Sequence, residues 1–122
     1  LRQRMQMGQN GAAVQRSDPD GTHVADGPFL YRTSGGKLLM LWSTFGKHGY
    51  AIGYSVSQSG CIEGPWVPAE QPLFDRDGGH GMLFTDKSGQ LMLTIHSPND
   101  TPNERAVFLP VIDTGDGLTP RA

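Results

Sequence analysis

Apolar residues in this sequence occur in short runs, each about as long as a β-strand and each bounded by glycine, proline or aspartate. The first two runs, residues 29–31 and 37–43, are separated by the turn Ser34-Gly35-Gly36. Two strand-length runs with a glycine pair between them predict a β-hairpin. The turn Asp26-Gly27-Pro28 precedes the first run, so we expect a carboxylate at the entrance of the first strand.

Two further runs extend this hairpin. Residues 50–57 alternate well enough between the two faces of a sheet to predict a third strand. Residues 66–68 contain Pro68, which cannot donate a ladder hydrogen bond and is confined to a sheet edge. Residues 24–70 are therefore predicted to form one four-stranded meander.

The same plan returns about fifty residues later. Residues 81–85 and 91–96 predict a second hairpin, and residues 105–112 predict its third strand. Alignment of the two units places residues 82–84 on 29–31 and residues 90–96 on 37–43. The tail after Asp113 is turn-like, so the second unit, residues 78–113, is predicted to lack a fourth strand of its own.

A repeat of this length, built from short strands, is typical of the blades of a β-propeller. We therefore predict an all-β fold with two four-stranded propeller-type blades, which is a partial propeller. Each blade buries its faces against its neighbours, and two blades cannot close a ring. The chain is thus expected to be either a fragment of a propeller or a subunit that completes one by self-association, and a homo-oligomer is the expectation.

The composition fits one turn-rich domain preceded by a polar segment. The 122 residues include 17 glycines and 9 prolines, and 36% of the residues are hydrophobic. Glycine and proline disfavour helix interiors and separate short strands. Residues 1–22 carry few sizeable apolar groups, so we expect a flexible leader or a segment ordered by a partner. Residues 23–122 would form the partial propeller.

Charge and the length of the apolar runs argue against two classes of partner. The formal net charge is -2 and no basic cluster is present, which gives no electrostatic case for nucleic acid. No apolar run approaches the roughly 20 residues of a membrane span, and no signal peptide is visible, so a cytoplasmic protein is the default expectation. The chain begins with Leu1, which fits a processed or truncated start. Its single cysteine, Cys61, excludes an internal disulfide.

Four longer stretches carry a resemblance to a known family. They are ADGPFLYRTSGGKLLMLWSTFGKHGYAIGYSVSQSG, GPW, PLFDRDGGHGMLFTDKSGQLMLTIHSPN and ERAVFLPV, and they lie within residues 24–112. In sequence and in order they resemble the C-terminal part of glycoside hydrolase family 43. The resemblance implies a five-bladed propeller that acts on polysaccharides containing arabinose and xylose, as arabinofuranosidases and xylosidases do.

The resemblance also implies a chemistry. In the family, one carboxylic acid protonates the leaving oxygen and a second carboxylate activates water on the opposite face, with inversion. The family's proton donor is a glutamate just before a Gly-Pro pair, and Asp26 occupies that position here. His80 corresponds to a histidine that faces the central cavity, often beside calcium, which makes it a candidate catalytic residue and a candidate metal ligand.

Substrate contacts follow from the same resemblance. Trp42 and Phe45 would stack on sugar C–H groups through their flat faces, and Arg105 would bind substrate at a strand entrance. The family's catalytic base belongs to blades that this chain lacks. The loop carboxylates that would serve instead, with no basis for choosing among them, are Asp20, Asp75, Asp77 and Asp100.

Each candidate also has an ordinary structural interpretation. Aspartate before Gly-Pro is a common turn former, and a lone histidine among glycines is more often a surface residue beside a turn. Arg105 and Glu104 are interpreted most simply as a solvated pair. Two functions therefore stay open. One is inverting hydrolysis of arabinosyl or xylosyl linkages at a site completed by self-association, and the other is a non-catalytic sugar-binding or structural role.

Overall fold

A computed structural model describes residues 24–121, which form eight β-strands and no helix. The first sheet contains β1 (Asp26–Arg32), β2 (Leu38–Gly46), β3 (Gly49–Ser57) and β4 (Trp66–Pro68). The second contains β5 (Gly79–Thr85), β6 (Leu91–Ser97), β7 (Arg105–Asp113) and β8 (Leu118–Pro120). Within this part of the chain there is accordingly no helix long and apolar enough to cross a membrane. The predicted leader, residues 1–22, lies outside the described residues.

Both sheets are antiparallel meanders with their strands in sequence order, which confirms the predicted all-β fold of two propeller-type blades. Their first hairpins share one register. Phe29 lies opposite Leu41 in the first sheet, and Met82 lies opposite Thr94 at the equivalent place in the second. The two sheets are therefore copies of one structural unit, as the alignment of the two sequence runs predicts.

Each innermost strand contains a β-bulge at the same position. The register shifts between Asp26 and Phe29 in β1, and between Gly79 and Met82 in β5. The second bulge residue has a positive φ in both strands, 63° at Gly27 and 56° at His80. Glycine adopts this conformation without steric cost, whereas histidine does not. A bulge re-aims the adjacent side chains, and here it does so where both inner strands begin.

One apolar cluster joins the two sheets. Strand β5 lies against β1, β2 and β3, so the inner strand of the second sheet covers the first. Alternation along β6 puts Leu93 and Ile95 into the cluster and leaves Met92 and Thr94 partly exposed. Burial of these side chains is the main favourable term that holds the sheets together. The buried members of the cluster are Leu39, Leu41, Ile52, Leu73, Leu83, Leu93, Ile95, Val111 and Leu118.

The second sheet has a fourth strand, which corrects the prediction that this unit lacks one. Strand β8 pairs with the end of β7, so the unit extends to Pro120 and does not end at Asp113. Leu118 is buried, and the Tyr54 hydroxyl both donates to its carbonyl oxygen and accepts from its N–H. A three-residue strand after a glycine-containing turn has no apolar run that sequence could reveal. Contacts with the first sheet stabilise it.

Candidate functional site

Asp26 lies half-buried at the start of β1, opposite Ser43 of β2. The Tyr50 hydroxyl donates a hydrogen bond of 2.6 Å to Asp26 Oδ1. Among residues 24–121, Tyr50 is the one hydrogen-bond donor to this carboxylate, so Oδ2 has no donor in that part of the chain. The carboxylate thus lies at a strand entrance, as the sequence predicts, and one of its two oxygens is bonded within the described residues.

Tyr50 is a buried residue that the sequence did not single out. Its side chain is 3% exposed, and its ring centroid lies 5.1 Å from that of Phe45 and 5.5 Å from that of His96. Burial raises the pKa of the Tyr50 hydroxyl well above its usual value. The hydrogen bond and charge of Asp26 raise the pKa further, and a hydrogen bond with Ser43 partly offsets these effects. The hydroxyl therefore keeps its proton and acts as a donor.

His80 is the second residue of β5, and its side chain is exposed. Its backbone N–H donates to Ser43 Oγ at 2.8 Å. Its ring lies against Gly27, where a Cβ atom would come within 3.1 Å of the imidazole carbons. Non-glycine residues with positive φ are concentrated at functional sites, where the surrounding structure holds them in place. The two bulges thus bring Asp26 and His80 to one place at the inner edges of both sheets.

Asp77 has a structural role that removes it from the candidates for the base. Its Oδ1 accepts from the Tyr50 backbone N–H at 3.0 Å, and its Oδ2 accepts from that of Asn99 at 3.2 Å. The N–H of Gly78 donates to the Tyr50 carbonyl oxygen at 2.9 Å. Both carboxylate oxygens are therefore occupied in fixing the segment before β5 to β3 and to the loop after β6.

The remaining loop carboxylates named as candidate bases are Asp20, Asp75 and Asp100. Asp100 Oδ2 accepts from the Asn103 side-chain amide at 2.7 Å, and Asp20 lies outside the described residues. Asp75 lines a cleft of about 290 Å³ beside the two-residue turn between β2 and β3. The residues that line this cleft are Gly46, Lys47, His48, Glu70, Gln71, Pro72 and Asp75.

The two aromatic candidates for sugar stacking have different positions. The Trp42 side chain is 2% exposed, and its indole N–H donates to Ser55 Oγ at 3.1 Å. A ring without an exposed face cannot stack on a sugar, so the structure places Trp42 in the packing of the first sheet and corrects that expectation. Phe45 is half-buried and supports the ring of Tyr50.

Arg105 is exposed at the start of β7, opposite Ser97. Its guanidinium donates to the carbonyl oxygen of Glu104 at 2.8 Å, while the Glu104 carboxylate accepts from Thr101. The two residues therefore do not pair through their charges. Contact of Arg105 with substrate stays a prediction.

The residues around His80 do not form a calcium site by themselves. Calcium takes six to eight oxygen ligands, mostly from carboxylates, carbonyls and water. Within residues 24–121 there is no group of three or more histidine, cysteine, aspartate or glutamate residues that could hold a metal ion.

Solved structures resemble this arrangement of two sheets. An endo-arabinase from Bacteroides thetaiotaomicron is 48% identical over 76% of this chain, with a TM-score of 0.68. An endo-1,4-beta-xylanase from the same organism is 25% identical over 81% of the chain, also with a TM-score of 0.68. A thermostable family-43 glycoside hydrolase, 20% identical over 88% of the chain with a TM-score of 0.66, shares the fold. The fold is that of glycoside hydrolase family 43.

This finding confirms the family resemblance that the sequence stretches carry. The chain spans only 34% to 39% of the length of these three structures. No family model and no curated protein matches the chain. The family 43 fold places Asp26 and His80 at the start of the inner strands of two adjacent blades. Sequence reasoning missed Ser43, Tyr50 and Asp77, which surround them, because their role depends on contacts between strands distant in sequence.

Proposed function

We propose that this protein is a family 43 carbohydrate-active hydrolase that cleaves arabinosyl linkages with inversion, with xylosyl linkages as the second substrate class. The endo-arabinase that is 48% identical to the chain supports arabinan as the first choice. The observation that carries the proposal is the Asp26 carboxylate, which is held through Oδ1 by Tyr50 and is followed in the chain by Gly27, against which the His80 ring lies.

In the proposed reaction Asp26 acts as the general acid. Its protonated Oδ2 gives its proton to the glycosidic oxygen while the bond from that oxygen to the anomeric carbon breaks. A water molecule attacks the anomeric carbon from the opposite face, and a second carboxylate accepts the proton of that water. Inverting enzymes hold the two carboxyl groups roughly 6.5–9.5 Å apart to make room for the water.

The second carboxylate is the missing part of the site. Asp77 and Asp100 are bonded to neighbouring donors, and Asp75 lines the cleft beside the β2–β3 turn, so Asp26 is the one of these carboxylates that lies where the two bulges meet. We propose that another copy of the chain completes the site by self-association, because two copies would bring four blades together. The single carboxylate also favours a second candidate function, sugar binding without hydrolysis, which needs no base.

The test compares hydrolysis, binding and assembly of the purified protein. Linear arabinan and xylan are incubated with it, new reducing ends are measured, and the anomer first released is identified by proton NMR. Light scattering after size exclusion gives the assembly size. Hydrolysis of arabinan with inversion by a discrete oligomer is the expected result. Calorimetric binding of arabino-oligosaccharides without hydrolysis would support the second function, and neither binding nor hydrolysis would contradict both.

A further inference from the structure

We propose that Tyr50 is the positioning residue of Asp26, which holds the carboxylate through Oδ1 so that Oδ2 is directed to the substrate. The family resemblance includes this tyrosine in one of its stretches but assigns it no role. The consequence for the reaction rests on the proposed function, whereas the positioning itself is a property of the folded chain that is measurable without a substrate.

Ser43 and Tyr50 lie between the second sheet and Asp26. The His80 backbone N–H donates to Ser43 Oγ at 2.8 Å. A Cβ atom at Gly79 would come within 2.9 Å of Ser43 Oγ and 3.0 Å of Tyr50 Cε2, so the serine hydroxyl and the tyrosine ring both lie against the start of β5. The Tyr50 hydroxyl donates to Asp26 Oδ1 at 2.6 Å. The position of Asp26 therefore depends on contacts with both sheets.

The ring of Tyr50 is fixed on several sides. It packs between Phe45 and His96, and a Cβ atom at Gly79 would come within 3.0 Å of its Cε2 atom. Asp77 fixes its backbone N–H. His96, Gly79 and Asp77 all come from the second sheet or the segment before it. The position of the phenolic oxygen is thus set by contacts with both sheets, although Tyr50 and Asp26 belong to the first.

The hydrogen bond from Tyr50 restricts the conformation of the Asp26 side chain. An unrestrained carboxylate exchanges its two oxygens and samples several χ1 rotamers. A donor fixed to Oδ1 selects one rotamer, which leaves Oδ2 as the oxygen that can carry a proton to a ligand. Catalysis by a proton donor depends on placement within hydrogen-bond reach of the reacting atom. We therefore expect that loss of the Tyr50 hydroxyl leaves the Asp26 carboxylate in place but lets its side chain sample several rotamers.

The test compares Tyr50→Phe with the matched control Tyr31→Phe, which removes the hydroxyl that donates to Asp113. NMR three-bond couplings from the backbone nitrogen and carbonyl carbon to the Asp26 carboxyl carbon report its χ1 populations. We expect one dominant rotamer in the natural protein and in Tyr31→Phe, and averaged couplings in Tyr50→Phe. Chemical-shift dispersion of the backbone amides verifies that each variant is folded.

Kinetics provide the second readout. We expect kcat on arabinan to fall about 100-fold in Tyr50→Phe with KM nearly unchanged, and neither value to change much in Tyr31→Phe. Unaveraged Asp26 couplings in Tyr50→Phe would overturn the proposal, as would an unchanged kcat. If the natural protein does not hydrolyse arabinan, the proposed function fails, and the couplings alone decide whether Tyr50 positions Asp26. A variant too unstable for NMR is replaced by Ser43→Ala, which removes the hydroxyl that lies with the Tyr50 ring against Gly79 and should broaden the same rotamer distribution.

Discussion

Residues 24–121 contain two hydrogen-bonded tyrosine–aspartate pairs, one at each end of β1, and they differ in how fully each carboxylate is bonded. At one end Tyr50 donates to Asp26 Oδ1 and no other described residue donates to that carboxylate. At the other end the Tyr31 hydroxyl donates to Asp113 Oδ2 at 2.8 Å. Asp113 also accepts from Ser34 through its backbone N–H and its hydroxyl, and from the backbone N–H of Gly115.

The difference distinguishes a fully bonded carboxylate from one with a single described donor. Burial alone would raise the pKa of Asp113, but the hydrogen bonds from Gly115, Tyr31 and Ser34 outweigh it and hold the pKa below its usual value. A carboxylate with four donors is held in its charged form and has little capacity for a ligand. Among the described residues Asp26 has one donor, which fits the role proposed for its second oxygen.

The largest expected effect is the loss of hydrolysis in Asp26→Asn. An amide at this position cannot deliver a proton, so we expect arabinan hydrolysis to fall by about 10²–10⁴-fold. Thermal unfolding should change little, because Asp26 is half-buried and has a single hydrogen-bond partner. The control is Asp116→Asn, an exposed carboxylate in the turn between β7 and β8. Retained hydrolysis in Asp26→Asn would contradict the assignment of Asp26 as the acid.

The second-largest expected effect is a loss of stability when a side chain is added at Gly27, where the two bulges meet. Gly27→Ala places a Cβ atom against the His80 ring and puts alanine at a φ of 63°, so we expect a loss of about 2 kcal/mol in the free energy of unfolding. Gly60→Ala is the matched control, since Gly60 has a φ of 81° but nothing within 4 Å of its added Cβ. Urea denaturation should show a larger loss for Gly27→Ala. Equal losses would mean that the His80 contact adds nothing.

A smaller effect is expected at Asp113, whose carboxylate accepts four hydrogen bonds. Asp113→Asn weakens several hydrogen bonds at a partly exposed position, so we expect a loss of about 1 kcal/mol in the free energy of unfolding. Hydrolysis per folded molecule should not change. Because the folded-state pKa of Asp113 is depressed, its stabilisation is present above the unfolded pKa of about 3.9 and is lost as the pH falls further. Urea titrations at pH 6 and about pH 3 should show a smaller acid loss in the variant than in the natural protein.

The smallest effect appears at alkaline pH. Burial, followed by the hydrogen bond and charge of Asp113, raises the pKa of Tyr31 from 10.0 to about 12. A group whose pKa is raised on folding stabilises the protein fully below the unfolded value, and this contribution is lost as the pH rises from about 10 to about 12. The urea midpoint of Tyr31→Phe should therefore decline less between these pH values than that of the natural protein. An identical decline would show that the contact with Asp113 does not persist in solution.

The sequence determined the local elements and their repetition. Alternating apolar runs bounded by glycine and proline predict the first four strands, and matching runs predict the second hairpin in the same register. These signals depend on neighbours in the chain, because a pleated strand alternates its faces and a tight turn requires particular residues. Asp26 was found in the same way, from the turn that precedes its strand.

Only the tertiary structure decided which residues meet. Strand β8 depends on the Tyr54 hydroxyl from the first sheet, and no apolar run marks it. Trp42 has an aromatic face that the sequence assigns to sugar, but packing buries it. Tyr50 and Asp26 belong to β3 and β1, which both pair with β2. No local sequence pattern shows that the two side chains meet. Contacts between distant segments arise from the stacking of the sheets, and among the described residues Asp113 accepts four hydrogen bonds whereas Asp26 accepts one.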